Sequence, residues 1–385
     1  MSNRRSIFAV GTYTRMSNSK AVGEGILILE LDDDTGLLSE ISRYTDVENP
    51  SYLAFDKEER VILSVTENME DGGMVTSFRL TEDLSLVELS LSAGQGRSVC
   101  HISFSTERKL VFTSSYSDGV LAVHPYSRGI IDKSKLKISY SGRGPNGVRQ
   151  EGPHTHQAVV SPDGNYLLVC DLGTDKIYIH RIDSLTSSGA DGMPIRTFST
   201  HAGSGPRHLV FVPGTDLLIL VCELAPIAVL LRWNSETGTI EKLSGIQLAS
   251  GVSLGLAQPG AVKIHPSGKT AVISCRGSNT LSVIGLSITD LPVNSSTQGL
   301  QPESESASGN IRLHGMEKFS LLKEISCGGV NPRDLEFSPS GRWLLVANQD
   351  SSEIWDIEFD LLSGLPTGKW GKRFPIGTPA CILNI

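Results

Sequence analysis

The chain lacks a long hydrophobic run, an excess of positive charge and helical periodicity. Its most apolar window, Leu217 to Leu231, is broken by Glu223 and Pro226 and falls short of the roughly 20 apolar residues that a membrane-crossing helix needs. It reads as two buried strands and a turn. Behind Arg4 and Arg5 the apolar stretch is only Ile7 to Val10 before Gly11 and Thr12, too short for a secretory h-region, so the expected location is the cytoplasm. With 34 basic against 42 acidic residues the formal net charge is −8, which offers no general attraction to phosphate backbones or anionic membranes. Neither nucleic acid nor a membrane is therefore expected as a partner, and any anion site must be local. Only six cysteines (Cys100, Cys170, Cys222, Cys275, Cys327 and Cys381) are scattered over 385 residues. They form no CxxC pair, which excludes a disulfide framework and a zinc ribbon and leaves buried thiols. No cluster of Asp and Asn has calcium-ligand spacing. The expected mechanism uses no metal and no cofactor.

What the chain does have is glycine (39) and proline (18) amid 39% hydrophobic residues, a globular composition rich in turns that excludes disorder, collagen and coiled coil. It also repeats itself. VVSPDGNYLLVCDLGTDK at Val159, VFVPGTDLLILVCEL at Val210, IHPSGKTAVISCRGSN at Ile264 and FSPSGRWLLVANQDSS at Phe337 share one pattern. Each is an apolar run, a Pro/Gly turn and a second apolar run. The turn prolines Pro162, Pro213, Pro266 and Pro339 are 51, 53 and 73 residues apart, and Lys57 and Thr106 hold the same place in two weaker copies 49 apart. Each copy contains about four strand-like segments of alternating pattern. Four antiparallel strands repeated at this period are the signature of a propeller blade.

Six turns give six blades, and a seventh follows from the two ends. Thr378–Ile385 (TPACILNI) has the character of a first strand, and Ile7–Thr12, Gly25–Leu31 and Glu40–Tyr44 that of the other three. Joining them removes the exposed sheet edges of an open array. The expected fold is an all-β, seven-bladed β-propeller of four-stranded antiparallel blades, one domain over residues 1–385. The surplus of the long step falls in the polar, Ser-rich Thr289–Gly315, expected as a loop between outer strands of the sixth blade.

In such a ring the first strand of each blade lines the channel and the second returns beside it. If the proline turns mark one face, residues six before the turn and nine or ten after it should gather at the other, near the axis. Six before stand Ser51, Cys100, His156, Arg207, Gly260 and Arg333, followed by Tyr52, His101, Gln157, His208, Ala261 and Asp334. Nine after stand Thr66, Ser115, Asp171, Cys222, Cys275 and Asn348, followed by Glu67, Tyr116, Leu172, Glu223, Arg276 and Gln349. Arginines, glutamates and histidines converge where apolar residues would cost less, and ionisable groups in a concavity mark a site. Cys222 and Cys275 read as packing thiols, His208 as a satisfied strand histidine. Asp171 is as suited to bracing a turn as to touching a ligand.

At these residues the chain resembles a known family. GTYT, NPSYLAF, CHISF, RQEGPHTHQAVVSPDG, DLGTDKI, GPRHLVF, the Glu-Leu of CEL, the Arg of SCRGSN and NPRDLEFSPSGRWLLVANQDS resemble the seven-bladed propeller lactonases. That family includes propeller-type 6-phosphogluconolactonases and, more distantly, fungal carboxymuconate lactonising enzymes. The resemblance implies that His156, Arg207, Glu223 and Arg276 form the catalytic group. His101, His154, Arg333, Arg149, Tyr116, Glu67 and Asn348 are the candidates for substrate binding. Where the family usually has Asn, this chain has Thr66, Cys222 and Cys275.

Opening a lactone needs a base to activate water and donors for the oxyanion. Glu223 is favoured as the base. The roles reverse if arginines hold Glu223 as a fixed charge and His156 stays neutral. Arg207 and Arg276 suit an oxyanion or an anionic group, with Arg333 and Arg149 completing an anion pocket. The leading expectation is a lactonase on an anionic sugar lactone, 6-phosphogluconolactone first, acting as a monomer or weak homodimer. The alternatives are a lactonising or isomerising enzyme on a carboxymuconate-type dicarboxylic acid and a non-catalytic propeller that binds a ligand or protein at its mouth.

Overall fold

In a computed structural model that describes residues 5–15, 21–69, 72–186, 192–248, 257–287 and 318–385, each repeat folds as an antiparallel sheet. In the copy around Pro213 the strands Pro206–Phe211, Leu217–Cys222, Ile227–Asn234 and Thr239–Gln247 pair in chain order. Second strands such as Leu217–Cys222 and Tyr166–Asp171 are buried along their whole length, which is why they read as unbroken apolar runs rather than alternating ones. Fourth strands such as Arg196–Ser199 are mostly exposed, with only Phe198 half-buried.

Seven sheets result, one per predicted blade. We number them from the blade shared by the termini (1) through those whose turns lie at Lys57 (2), Thr106 (3), Pro162 (4), Pro213 (5), Pro266 (6) and Pro339 (7). In blades 3 and 7 the outermost position is shared by two short strands, Ile130–Ile131 with Leu136–Ser139 and Pro366–Trp370 with Phe374–Pro375. The terminal blade forms as expected, with Pro379–Asn384 innermost beside Arg5–Thr12, then Ile26–Asp32 and Leu37–Tyr44. Its register pairs Phe8 with Asn384, Val10 with Ile382 and Gly11 with Cys381.

The core is divided among the blade interfaces. Leu217, Ile219 and Val221 of blade 5 pack on Ala271, Ile273 and Cys275 of blade 6, and Phe8 and Val10 of blade 1 pack on Leu345 and Ala347 of blade 7. The remaining neighbours are joined by five further clusters of the same kind. All six cysteines are buried and free. Among the described residues no helix is long and apolar enough to cross a membrane. Residues 289–315 lie outside the described residues, between the third and fourth strands of blade 6, Thr280–Ser287 and Lys318–Ser326.

Candidate active site

One backbone device repeats at the mouth end of the innermost strands. Thr155 pairs with Asp171 and Gln157 with Cys170, so His156 is an extra residue without a partner across the ladder. Arg207 between Pro206 and His208, Arg333 between Pro332 and Asp334, and Cys100 between Val99 and His101 are extra in the same way. A bulge of one residue breaks the alternation of side chains. Consecutive residues therefore both reach the channel: Arg207 with His208 and Arg333 with Asp334 line the concavity at the axis, together with Ser51, Tyr52, Cys100, His156 and Ala380.

The residues directly after the second strands complete the mouth. Glu223 is the centre. Its Oε2 lies 3.0 Å from Arg207 Nε and 2.6 Å from Arg276 Nη2, and its Oε1 2.6 Å from Arg149 Nη2. Burial opposes the charge on Glu223, but Arg276 and Arg207, with smaller contributions from His156 and Arg149, outweigh it and hold the carboxyl well below the usual carboxylate range. Arg149 arrives on the loop between blades 3 and 4 and also donates to the Tyr116 hydroxyl at 3.1 Å. Arg207 is buried and donates through Nη1 to the Gly260 carbonyl at 2.8 Å. Burial and the neighbouring Arg276 bring its pKa down to about 10, so it stays charged at neutral pH.

His156 sits against this cluster with its ring 5.0 Å from His208 and 5.9 Å from Tyr116. Burial first, then Arg207, pushes its pKa well below that of an ordinary imidazole, and the opposing pull of Glu223 does not compensate. The site thus has the arrangement under which the expected roles reverse, a fixed carboxylate beside a neutral imidazole. Nδ1 of His156 is buried without a hydrogen-bond partner.

A second cluster faces the first. Tyr13 donates to Glu67 Oε2 at 2.7 Å and accepts from Arg333 Nη2, whose guanidinium also stacks over the Tyr13 ring at 4.9 Å and lies 3.7 Å from Glu67. The sequence columns omit Tyr13 because its blade is split between the termini. In register terms Ala380 is the bulged residue there and Thr12 closes the second strand opposite Pro379, so Tyr13 is the equivalent of Glu223 and Arg276. The proline shared by Pro50, Pro206, Pro259, Pro332 and Pro379 is the signal that could have extended the column.

Three of the expected binding residues, Asn348, His154 and His101, lie elsewhere. Ser115, Asp171, Cys222, Cys275 and Asn348 end the second strands and are completely buried, and Thr66, just past the strand Val61–Val65, is buried as well, so this column does not reach the mouth. Asn348 accordingly spends its amide on the Cys327 carbonyl at 2.9 Å, and Asp171 accepts the backbone N–H groups of His154, Gly173 and Thr174. His154 is stacked on Tyr116 at 4.5 Å and bonds the Tyr116 carbonyl at 2.9 Å through Nδ1, bracing that ring. His101 lies deeper, 4.3 Å from the Tyr52 ring, and faces the chamber beneath the mouth. The chain also contains one GxSxG spacing, GVSLG at 251–255. It lies outside the described residues, and the element that follows is the strand Pro259–Ile264, not the helix of a nucleophile elbow. Among the described residues no three His, Cys, Asp or Glu side chains gather to hold a metal ion.

Comparison with known proteins accords with the fold. The family model for lactonases with a 7-bladed β-propeller matches residues 7–302 and 311–384. The chain is 27% identical over 359 residues to a 6-phosphogluconolactonase of Bacillus subtilis, covering 92% of this chain and 91% of that protein. It is 25% identical over 366 residues to a 6-phosphogluconolactonase of Formosa agariphila, covering 93% and 94%. Among solved structures, the periplasmic gluconolactonase of Pseudomonas aeruginosa superposes with a TM-score of 0.83 at 26% identity, covering 99% of each chain. With a match that runs from the first described strand to the last, the chain belongs to the lactonase family of seven-bladed β-propellers.

Proposed function

We propose that the protein hydrolyses an anionic sugar lactone, with 6-phosphogluconolactone the leading substrate, in the cytoplasm. The observation that carries this reading is the charge balance of the mouth. Four guanidinium groups, Arg149, Arg207, Arg276 and Arg333, stand against the three carboxyl groups of Glu67, Glu223 and Asp334, beside a neutral imidazole. The surplus positive charge is complementary to an anion, and the relatives named 6-phosphogluconolactonase support the same substrate class.

In this mechanism Nε2 of His156 takes a proton from water as the oxygen adds to the lactone carbonyl carbon. The negative charge that develops on the carbonyl oxygen is met by Arg276, whose side chain is 13% exposed where that of Arg207 is 3% exposed. When the acyl–oxygen bond of the ring breaks, the imidazolium returns the proton to the departing ring oxygen, and the products are the open hydroxy acid and the free imidazole. Glu223 does not exchange protons here. It holds Arg207, Arg276 and Arg149 in one cluster and offsets part of their repulsion. Arg149 and Arg333 bind the remote anionic group, for which paired guanidinium donors are suited.

The test is hydrolysis of a panel: 6-phosphogluconolactone, glucono-δ-lactone, and a dicarboxylic muconolactone, each corrected for spontaneous opening. The phosphorylated lactone is expected to show the highest kcat/KM, with Arg276→Ala lowering it for every substrate turned over. Turnover of the dicarboxylic lactone alone, or of none, would overturn the proposal.

A further inference from the structure

Below the mouth the channel widens again. Tyr52, His208 and Asp334 line both the mouth and a second cavity of about 540 Å³, so these three side chains form the septum between two compartments. The lower chamber runs down to Pro162, at the face that carries the proline turns. All seven innermost strands contribute to it, and the lower wall is apolar, with Phe55, Phe104, Phe211, Val160 and Val210 each only half-buried. Its volume is that of a small-molecule pocket. A partner's strand cannot add to its wall, because the wall is a closed ring of strands with no free edge inside.

Its charged groups are unevenly balanced: Lys263 and Asp334 line it, and Glu336, which Lys263 reaches, stands beside it. Lys263 Nζ lies 2.6 Å from Glu336 Oε2, and Asp334, two residues before Glu336 on the same strand, points to the same side. Asp334 Oδ2 accepts the Ile382 N–H at 2.9 Å. One ammonium thus serves two carboxylates. Burial pushes both carboxyls above their ordinary range, against the pull of Lys263 on both and a smaller pull of Arg207 on Asp334. At its roof His101 is nine-tenths buried, with Nδ1 lacking any hydrogen-bond partner. Burial and Arg207 bring its pKa down to about 3, so it offers a neutral acceptor or donor and no charge of its own.

We propose that the lower chamber is a second ligand site, for a small molecule with an apolar body and one protonated amine. The amine lies between Asp334 and Glu336, where Lys263 alone leaves one carboxylate uncompensated. The apolar body covers the half-exposed phenylalanine and valine side chains, whose removal from water favours binding at roughly 25 cal/mol per Å². This preference is the opposite of the mouth's. An ammonium is repelled by the four arginines of the mouth and attracted by the carboxylates of Asp334, in the septum, and Glu336, against the single charge of Lys263, so the charge of a probe reports which compartment it enters.

Calorimetric titration of the whole protein with three probes of one shape decides the matter: 2-naphthylmethylammonium, 2-naphthylmethanol and 2-naphthoate. The ammonium is expected to bind with one site per chain, about tenfold tighter than the alcohol, a difference of about 1.4 kcal/mol. Arg276→Ala in the mouth is expected to leave that binding unchanged. Glu336→Gln balances the chamber, and the advantage of ammonium over alcohol should fall to within about threefold while the alcohol keeps its affinity. Ser103→Trp fills the chamber and should abolish binding of both; if that variant does not fold, Glu336→Gln carries the decision. Equal binding of ammonium and alcohol to the wild type, saturable binding of neither, or an ammonium site sensitive to Arg276→Ala would overturn the proposal.

Discussion

His156 and Glu223 are two residues whose chemistry is set by neighbours rather than by type. An isolated carboxylate beside an isolated imidazole would raise the pKa of the imidazole; in this mouth burial and the arginines win. The consequence is a pH prediction with a definite sign. The group that must be unprotonated for catalysis titrates below the ordinary imidazole value near 6.5, so the acidic limb of kcat/KM falls below that pH. His156→Asn should lose the limb and about 10²–10⁴ in rate, the usual worth of a general base. Glu223→Gln should keep the limb but move it further down, because the carboxylate that favours imidazolium is gone. A limb that disappears in Glu223→Gln and survives in His156→Asn would restore Glu223 as the base. Asp356, on the third strand of blade 7, is governed mainly by burial, which outweighs the opposing pull of its own backbone N–H. Both its oxygens lack partners, and an added Cβ at Gly371 would overlap Oδ2, so only glycine leaves it room. Burial raises its pKa to about 7. Because the folded value lies above the unfolded one, the protein is most stable when this carboxyl is protonated and loses stability as pH rises from about 4 to about 7. Asp356→Asn removes the titration. The gain in melting temperature over wild type should be small at pH 5 and full at pH 8, corresponding to a few kcal/mol, since each tenfold change in proton affinity is worth about 1.4 kcal/mol. A gain independent of pH would show that the carboxyl does not titrate in that window.

At the scale of the strand, the innermost bulges explain both what the sequence reveals and what it conceals. Spacing from the proline turn locates His156, Arg207 and Arg333 because each turn is held by the same local chemistry, with Gly164, Gly214, Gly268 and Gly341 all at positive φ, between 69° and 79°. A turn fixed in this way makes counting along the strand reliable. Counting does not show direction. In a regular strand His208 and Asp334 would face away from Arg207 and Arg333, and only the extra residue in the ladder turns both members of each pair toward the axis. The column that ends the second strands illustrates the opposite error. Asn348 and Asp171 hold the right height along the axis, yet each is enclosed between blades, and the neighbouring position, where the chain leaves the sheet, carries Glu223 and Arg276. Charge type was legible, but the protonation states were not, since they depend on which guanidinium groups the ring brings within about 3 Å of one carboxylate. Arg149 shows the same limit: it belongs to no strand, and its place beside Glu223 follows from the path of a loop.

Closure makes the seven blades one molecule. The strand Pro379–Asn384 belongs by chain order to the end and by pairing to the beginning, so the termini lock a ring that would otherwise have two open edges. Its side chains serve three compartments: Ala380 lines the mouth, Leu383 lines the lower chamber, and Ile382 and Cys381 are buried against the interfaces on either side of blade 1. The Ile382 N–H also reaches the Asp334 carboxylate in the septum. Gly11, at the bulge opposite, approaches so closely that an added Cβ would overlap the Pro50 carbonyl oxygen of blade 2; the backbone itself is the contact there. Deleting Thr378–Ile385 therefore exposes the edge of Arg5–Thr12 and opens two core clusters at once. Burial of a large aliphatic side chain is worth about 1.5–3 kcal/mol, so the loss, with the ladder bonds, is of order 5–10 kcal/mol, enough to consume the whole stability of many domains. The truncated protein should be insoluble, or should melt far below the full chain, and should lose the mouth as well, because the concavity loses one wall. Removing residues 293–310, a polar stretch without an apolar run, is a longer deletion than the terminal one yet should leave the melting temperature within a few degrees, since the length of a connecting segment changes its closure entropy only slowly. Equal melting of the two deletion proteins and the full chain would mean that the ring does not depend on its terminal clasp.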